Sequence, residues 1–120
     1  MKNILVIEDY PDNMMLVVEI LEDEGYGVLQ AESAEIGLGL VKSDRPDLIL
    51  MDISLPKMSG LEATEILKAN SDTADIPIVA LTAHAMKSDK DMVMAAGCDG
   101  YMTKPIDEEL LLELLRDLLK

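Results

Sequence analysis

The chain has 120 residues and 49% of them are apolar, which suits one folded domain, residues 1–120, and excludes a disordered chain. Its formal net charge of −14 argues against nucleic acid as a partner, because binding to phosphates requires clustered lysine and arginine. No apolar run approaches the roughly 20 residues of a membrane-spanning helix, so we expect no membrane partner either.

Five apolar runs of strand length alternate with segments that carry helical signals. The strands are predicted at residues 3–7, 27–31, 48–51, 76–81 and 100–103. The helices are predicted at about residues 11–24, 33–43, 59–69, 86–96 and 107–119. Pro11 suits a first helical turn, while Ser33 and Asp107 are suitable caps. Gly37 and Gly39 each cost the second helix up to ~1 kcal/mol against alanine, so we expect it to be the weakest helix.

This alternation predicts an α/β protein with a doubly wound, five-stranded parallel sheet of (βα)5 type, covered by helices on both faces. The runs 4–7, 48–51 and 78–81 are apolar without alternation. Central parallel strands have this composition because both of their faces are buried.

Polar side chains follow the predicted strands where each strand ends. Glu8 and Asp9 follow the first strand, Asp52 the third, Thr82 the fourth and Lys104 the fifth. The carboxyl ends of parallel strands lie at one edge of the sheet, and ligands bind in the crevice there. We therefore expect these five side chains to converge.

The three acids predict a metal site and a nucleophile. Glu8, Asp9 and Asp52 repel one another unless a cation lies between them, and oxygen ligands suit Mg²⁺. A carboxylate beside such an ion can accept a phosphoryl group as an acyl phosphate, which makes Asp52 the candidate, and the carbonyl of Ser54 could be a further ligand. Alternatively, Glu8 and Asp9 form a solvated loop and Asp52 is a turn residue.

Thr82 and Lys104 are candidates for contacts with a phosphoryl group. The Thr82 hydroxyl could donate to a phosphoryl oxygen, although capping the following helix would also account for it. The Lys104 ammonium would bind the same group as a point charge. The bond from Lys104 to Pro105 is a candidate cis peptide, because tight turns favour that isomer.

Four short motifs occur in order along the chain. They are Glu8-Asp9, Asp52-x-x-x-Pro56-x-x-x-Gly60, Ala80-Leu-Thr82-Ala83 and Lys104-Pro105. Jointly they resemble the motif set of response-regulator receiver domains of two-component phosphorelays, of the single-domain or hybrid-kinase type. The resemblance covers essentially the whole chain and implies a flavodoxin-like strand order, 2-1-3-4-5.

The resemblance also implies a function and its residues. Asp52 would accept a phosphoryl group from a phosphohistidine of a sensor histidine kinase or histidine phosphotransfer protein. The cofactor would be Mg²⁺, held by Glu8, Asp9, Asp52 and the backbone carbonyl of Ser54. Lys104 would bind the phosphoryl group.

A conformational switch is implied as well. Thr82 would move toward the phosphoryl group, the Tyr101 ring would turn inward, and a downstream protein target would read the change. Packing of a half-buried strand tyrosine would also account for Tyr101. The protein would then dephosphorylate itself, so we expect a regulator and not a turnover enzyme.

Two further features concern hydrolysis and docking. His84, together with Ser54, could tune dephosphorylation by shielding or orienting water, or His84 could be an exposed loop imidazole. The start of the first helix is apolar all round, so Met14 and Leu16 are candidates for docking a partner, with deeper burial as the alternative. We expect a monomer or a weak homodimer.

Other functions predict other residues. An aspartyl-phosphate phosphatase usually carries an acid two residues after its nucleophile, where this chain has Ser54. A flavin carrier needs a phosphate-binding first loop, which is acidic here. A receiver that signals without phosphate would not need the complete set of side chains present. The single Cys98 excludes an internal disulfide and, with no signal peptide pattern after Met1, favours a cytoplasmic protein that begins naturally here.

Overall fold

The computed structural model of the protein describes residues 2–53, 59–82, 87–104 and 106–119, with the backbone alone at 87–89. The strands are β1 Asn3–Ile7, β2 Gly27–Ala31, β3 Leu48–Asp52, β4 Ile78–Thr82 and β5 Gly100–Thr103. The helices are α1 Pro11–Asp23, α2 Ala34–Asp44, α3 Gly60–Ala69, α4 Lys87–Ala95 and α5 Glu108–Leu118.

The strands form one parallel sheet in the order β2-β1-β3-β4-β5, which confirms the predicted architecture and order. Alternate residues of each strand point to opposite faces. On one face, Ile4, Val6 and Leu50 pack with α1 and α5. On the other face, Ile7 and Met51 pack with α2, α3 and α4. Two apolar cores therefore hold the sheet from both sides.

The position of each strand in the sheet explains how deeply its residues are buried. All residues of β3 and β4 are buried, whereas β2 and β5 lie at the edges and are only partly covered. A strand that is buried on both faces must be apolar throughout, which is why the uninterrupted runs identified the centre of the sheet. Among the described residues, no helix is long and apolar enough to cross a membrane.

Helix starts follow the predicted caps. The hydroxyl of Ser33 and the carboxylate of Asp107 each accept a hydrogen bond from a backbone N–H in the first turn. Ser59, which was predicted as the start of the third helix and not as its cap, accepts such a bond as well. Pro11 occupies the first turn of α1, whose preceding residue makes no side-chain cap. The predicted start of the fourth helix, residue 86, lies outside the described residues.

The fourth strand was predicted too long. It begins at Ile78 and not at Ile76. The Ile76 N–H donates to the Thr73 carbonyl in a turn, and Pro77 has no N–H to contribute to the sheet. Conversely, β3 and β4 each extend one residue further, so that Asp52 and Thr82 belong to the strands themselves.

The two glycines of α2 have different roles. A Cβ on Gly37 would lie 2.3 Å from Ile7 Cδ1, whereas a Cβ on Gly39 would meet nothing within 4 Å. Gly37 is therefore required for close packing of α2 on β1, and only Gly39 is a simple loss of helix propensity.

Candidate functional site

Three of the predicted side chains reach one point because they share a strand face. Glu8 continues the alternation of Ile4 and Val6, and Asp52 continues that of Leu48 and Leu50, all of which point toward α1 and α5. Lys104 stands two residues beyond Met102, which points to the same face. Parallel strands thus deliver two carboxylates and one ammonium to the carboxyl edge of the sheet.

The Lys104 ammonium lies between the two carboxylates. Its Nζ atom is 2.7 Å from Glu8 Oε1 and 3.3 Å from Asp52 Oδ2. Glu8 and Asp52 are each only 2% exposed, so water screens these charges little. The Lys104 N–H also donates to the Thr82 carbonyl, which fixes the backbone that carries the ammonium.

Asp9 completes an acidic cluster. Ligand oxygens of Glu8, Asp9 and Asp52 all lie within 4.8 Å of one another, with Asp9 on the exposed side. Three carboxylates against one ammonium leave the cluster negative, and its donors are all oxygen atoms. This donor set fits a hard divalent cation such as Mg²⁺, which binds through one or two carboxylates, water and phosphoryl oxygens.

The close approach of these charged groups shifts the pKa values of Glu8 and Lys104. Burial, followed by the neighbouring Asp52 carboxyl, raises the pKa of Glu8 from 4.5 to about 6, although Lys104 opposes the change. Burial lowers the pKa of Lys104, but its hydrogen bond to Glu8 and the charges of Asp52 and Glu8 outweigh this, so the pKa is raised. Lys104 therefore stays charged at neutral pH.

Gly60 allows the first turn of α3 to lie directly against the backbone of Asp52. A Cβ at Gly60 would lie 2.3 Å from the Asp52 carbonyl oxygen and 2.7 Å from Ile53 Cα. The hydroxyl of Thr64, which is fully buried, donates to the Gly60 carbonyl at 2.8 Å. The first turn of α3 is thus packed directly on the end of β3.

Thr82 and Tyr101 lie on the other face of the sheet. Thr82 is 1% exposed and continues the alternation of Ala80, which packs toward α2, α3 and α4. Tyr101 is half-buried against the same core and pairs in register with Ala80 on the neighbouring strand. The two residues therefore share a face, and the predicted switch remains a prediction.

Other predicted residues lie elsewhere. Ser54, His84 and Pro105 are outside the described residues, so the carbonyl ligand, the tuning of hydrolysis and the cis peptide stay predictions. Of the two docking candidates, Met14 is only 8% exposed and packs in the core below α1, so the alternative of deeper burial applies to it. Leu16 is 45% exposed and its neighbour Met15 is 70% exposed, so the apolar surface of α1 consists of these two side chains. An apolar run cannot show which of its members face outward.

The fold and these side chains define a doubly wound α/β protein with an acidic, lysine-containing site at the carboxyl edge of its sheet. The sequence matches the response regulator receiver domain over residues 4–116. The chain therefore belongs to the response regulator receiver domain family of two-component signalling.

Individual relatives agree with this assignment. The polar-differentiation response regulator DivK of Brucella anthropi is 39% identical over 118 residues, which are 98% of this chain and 96% of that protein. The chemotaxis protein CheY4 of Vibrio cholerae has a TM-score of 0.93 at 29% identity, with 99% of both chains covered. The receiver domain of sensor histidine kinase PA1611 from Pseudomonas aeruginosa, solved with a magnesium ion coordinated in its active site cleft, has a TM-score of 0.91 at 31% identity, covering 98% of this chain and 97% of that one.

Proposed function

We propose that the protein is a phosphorylation-dependent switch that takes a phosphoryl group from a phosphohistidine onto Asp52. The observation that carries the proposal is the Lys104 ammonium, 2.7 Å from Glu8 and 3.3 Å from Asp52 in a cluster that includes Asp9. An ammonium fixed beside a buried carboxylate is placed to bind phosphoryl oxygens once that carboxylate carries them.

In the proposed transfer, a carboxylate oxygen of Asp52 attacks phosphorus, the P–N bond to imidazole breaks, and the imidazole nitrogen keeps the electron pair. Glu8, Asp9 and Asp52 would hold Mg²⁺, which supplies positive charge against the repulsion between the carboxylates and the incoming phosphoryl group. Lys104 donates to a phosphoryl oxygen. In the later hydrolysis, water attacks phosphorus and the P–O bond to Asp52 breaks. Asp52 regains its carboxylate, and inorganic phosphate leaves.

The proposed signal travels through Thr82 and Tyr101. Their common face and neighbouring strands support a coupled movement in which the Thr82 hydroxyl donates to a phosphoryl oxygen and the Tyr101 ring follows. The phosphoryl donor would be a sensor histidine kinase or a histidine phosphotransfer protein, and a further protein would read the switched form. Because the acyl phosphate stays on the chain as the signal, the protein acts as a regulator and not as a turnover enzyme.

Intact mass spectrometry after incubation with acetyl phosphate and Mg²⁺ tests the proposal. We expect the wild type to gain the mass of one phosphoryl group, and Asp52→Asn or the wild type in excess chelator to gain none. Asp47→Asn is the matched control, because Asp47 precedes the same strand at its opposite end, where it accepts a hydrogen bond from the Asn3 N–H. No gain in the wild type, or an equal gain in Asp52→Asn, would overturn the proposal.

A further inference from the structure

The buried face of α3 contains one polar side chain. All 10 residues of this helix are described, and its buried residues are Gly60, Ala63, Thr64 and Leu67. A hydroxyl such as that of Thr64 loses its hydration when it is buried, and threonine forms helices less readily than alanine. An alanine at this position would avoid both costs. A local choice that opposes the stability of its own helix is expected where a side chain serves a function.

The Thr64 hydroxyl has partners on two sides. It donates to the Gly60 carbonyl at 2.8 Å and accepts from the Cys98 thiol, whose Sγ lies 3.8 Å from Thr64 Oγ1. Cys98 is 5% exposed and lies in the turn after α4, where its N–H donates to the Val93 carbonyl. Burial raises the pKa of this thiol, so it keeps its proton and remains a donor. The hydroxyl therefore joins the first turn of α3 to the turn that follows α4.

Gly60 is the point where α3 meets the proposed phosphoacceptor. A Cβ at Gly60 would lie 2.3 Å from the Asp52 carbonyl oxygen, so the bare Cα lies against that oxygen. On the side of the sheet, the Ile53 N–H donates to the Leu81 carbonyl at 3.1 Å. The backbone at Asp52 is thus held between β4 and the first turn of α3. A shift of either support would move the Asp52 carboxylate relative to the Lys104 ammonium, which lies 3.3 Å away.

The hydroxyl bond affects the position of this turn more than the stability of α3. Within an α-helix, the Gly60 carbonyl already accepts from the Thr64 N–H, four residues further along. A threonine hydroxyl that bonds the same carbonyl bends the helix slightly and weakens it. The bond therefore does little for α3 itself, whereas it determines where the first turn lies against Asp52.

We propose that Thr64 is a positioning residue for phosphoryl transfer, which acts through Gly60 and is itself held by the Cys98 thiol. This inference rests on the proposed function, because it concerns the placement of the Asp52 carboxylate during its attack on phosphorus. A misplacement of about 1 Å can slow a reaction about 100-fold, so a smaller shift is enough for a several-fold effect.

Replacement of Thr64 by valine and by serine tests the role of the hydroxyl. Thr64→Val keeps the branched shape and removes the hydroxyl, whereas Thr64→Ser keeps the hydroxyl and removes the methyl group. The measured quantity is the rate of labelling by acetyl phosphate at saturating Mg²⁺, followed by intact mass. We expect Thr64→Val to be labelled about fivefold more slowly than the wild type, and Thr64→Ser to stay within about twofold of it.

Thr73 supplies a matched control at the other end of α3. It is 8% exposed, and its hydroxyl donates to the Leu67 carbonyl at 2.6 Å. Thr73→Val removes an equivalent buried bond from the end of α3 away from Asp52. We expect it to lower the urea midpoint at least as much as Thr64→Val does, with a labelling rate within about twofold of the wild type. A labelling rate that followed the urea midpoint in both variants would show a merely structural role and overturn the proposal.

The Cys98 thiol provides a second test. Cys98→Ala removes the donor to Thr64 and should slow labelling about twofold in the wild-type background. In the Thr64→Val background it should have no further effect, because valine has no oxygen to accept the bond. Equal slowing in both backgrounds would refute the link between the thiol and Thr64.

The labelling rates also separate this inference from the proposed function. If acetyl phosphate labels the wild type and Thr64→Val equally fast, the positioning role is overturned and the proposed function of Asp52 stands. If acetyl phosphate labels neither the wild type nor any variant, the proposed function fails and the positioning role fails with it.

Discussion

The two edges of the sheet each hold a lysine that is paired with carboxylate, but the charge balance differs, with one carboxylate at the amino edge and more than one at the carboxyl edge. At the amino edge, Lys68 Nζ donates to the carbonyls of Ala74 and Ile76 at 3.1 and 2.9 Å and to Asp99 Oδ2 at 2.7 Å. Asp99 in turn accepts from the Ile78 N–H. At the carboxyl edge, Lys104 meets two carboxylates with a third close by.

The difference separates a structural contact from a reactive one. The three donors of Lys68 are all used, and its charge is matched by one carboxylate. Two of its partners lie in the loop between α3 and β4, and the third directly precedes β5. Around Lys104, the carboxylates outnumber the ammonium, and their remaining lone pairs can bind a cation. A half-buried lysine thus stabilises the fold when its neighbours balance its charge, and belongs to a reactive site when they do not.

The largest effect on stability and on the labelling rate should come from adding a methyl group at Gly60, at the carboxyl edge. In Gly60→Ala, the new Cβ would lie 2.3 Å from the Asp52 carbonyl oxygen, so the backbone of Asp52 must move. We expect a loss of about 3 kcal/mol in the free energy of unfolding and a roughly 100-fold slower reaction with acetyl phosphate.

Gly97→Ala is the counterpart at the amino edge. Gly97 has φ +104°, and its new Cβ would lie 3.0 Å from Lys68 Cγ. We expect a loss of about 1–2 kcal/mol from backbone strain with an unchanged labelling rate. Urea unfolding and intact mass measure the two quantities, and equal slowing of both variants would contradict the separation of the edges.

Replacing each lysine by methionine tests the charge balance directly. Lys68→Met removes the donor to two carbonyls and the positive charge beside one carboxylate, and we expect it to cost about 2–3 kcal/mol at an unchanged labelling rate. Lys104→Met removes the donor to the phosphoryl group and should slow labelling about 100-fold. The comparison is made by urea unfolding and by intact mass under conditions where both variants are folded. Slower labelling by Lys68→Met of the same size would refute the distinction.

Sequence alone could predict the carboxyl edge far better than the amino edge. Glu8, Asp52 and Lys104 each follow a predicted strand, so the common carboxyl edge of parallel strands predicted where they meet. Lys68 has no such mark, because its partners are backbone carbonyls in a loop and an aspartate beyond another helix. Its role depends on distances that only the folded chain defines.

Glycines and methionines show the same limit of prediction from sequence alone. Gly37 reads as a loss of helix propensity, but its reason is the side chain of Ile7 on another element. Met14, Met15 and Leu16 form one apolar run, and only the packing of α1 on the sheet shows that Met14 is the buried member. Periodicity predicts that a helix has a buried face. Which residues at the margin of that face are buried depends on how the helix packs on the neighbouring strands.

The pH dependence of stability should arise at the carboxyl edge. The pKa of Glu8 is raised from 4.5 to about 6, so between these values the folded protein binds a proton that the unfolded chain has released. The contribution of Glu8 to the free energy of unfolding is therefore fully present below pH 4.5. It falls by about 2 kcal/mol as the pH rises through 6.

Urea unfolding at pH 4.5 and pH 7 measures this contribution. Glu8→Gln cannot titrate, so its unfolding free energy should change less between the two pH values than that of the wild type. The control is Glu65→Gln, which removes an exposed carboxylate of α3 and should keep the wild-type pH dependence. An identical pH dependence in Glu8→Gln would show that the buried carboxyl does not carry the effect.

The smallest effect on the free energy of unfolding should come from removing the second ion pair of the amino edge. Arg45 Nη2 lies 3.0 Å from Asp75 Oδ1, but the two side chains are 54% and 74% exposed, so water screens their attraction. We expect Asp75→Ala to cost less than about 0.5 kcal/mol in urea unfolding. Asp99→Ala should cost several-fold more, because it leaves the Ile78 N–H without its acceptor and Lys68 without its paired carboxylate. If the two losses were equal, burial would not be what makes the Lys68 contact structural, and the contrast between the edges would rest on charge balance alone.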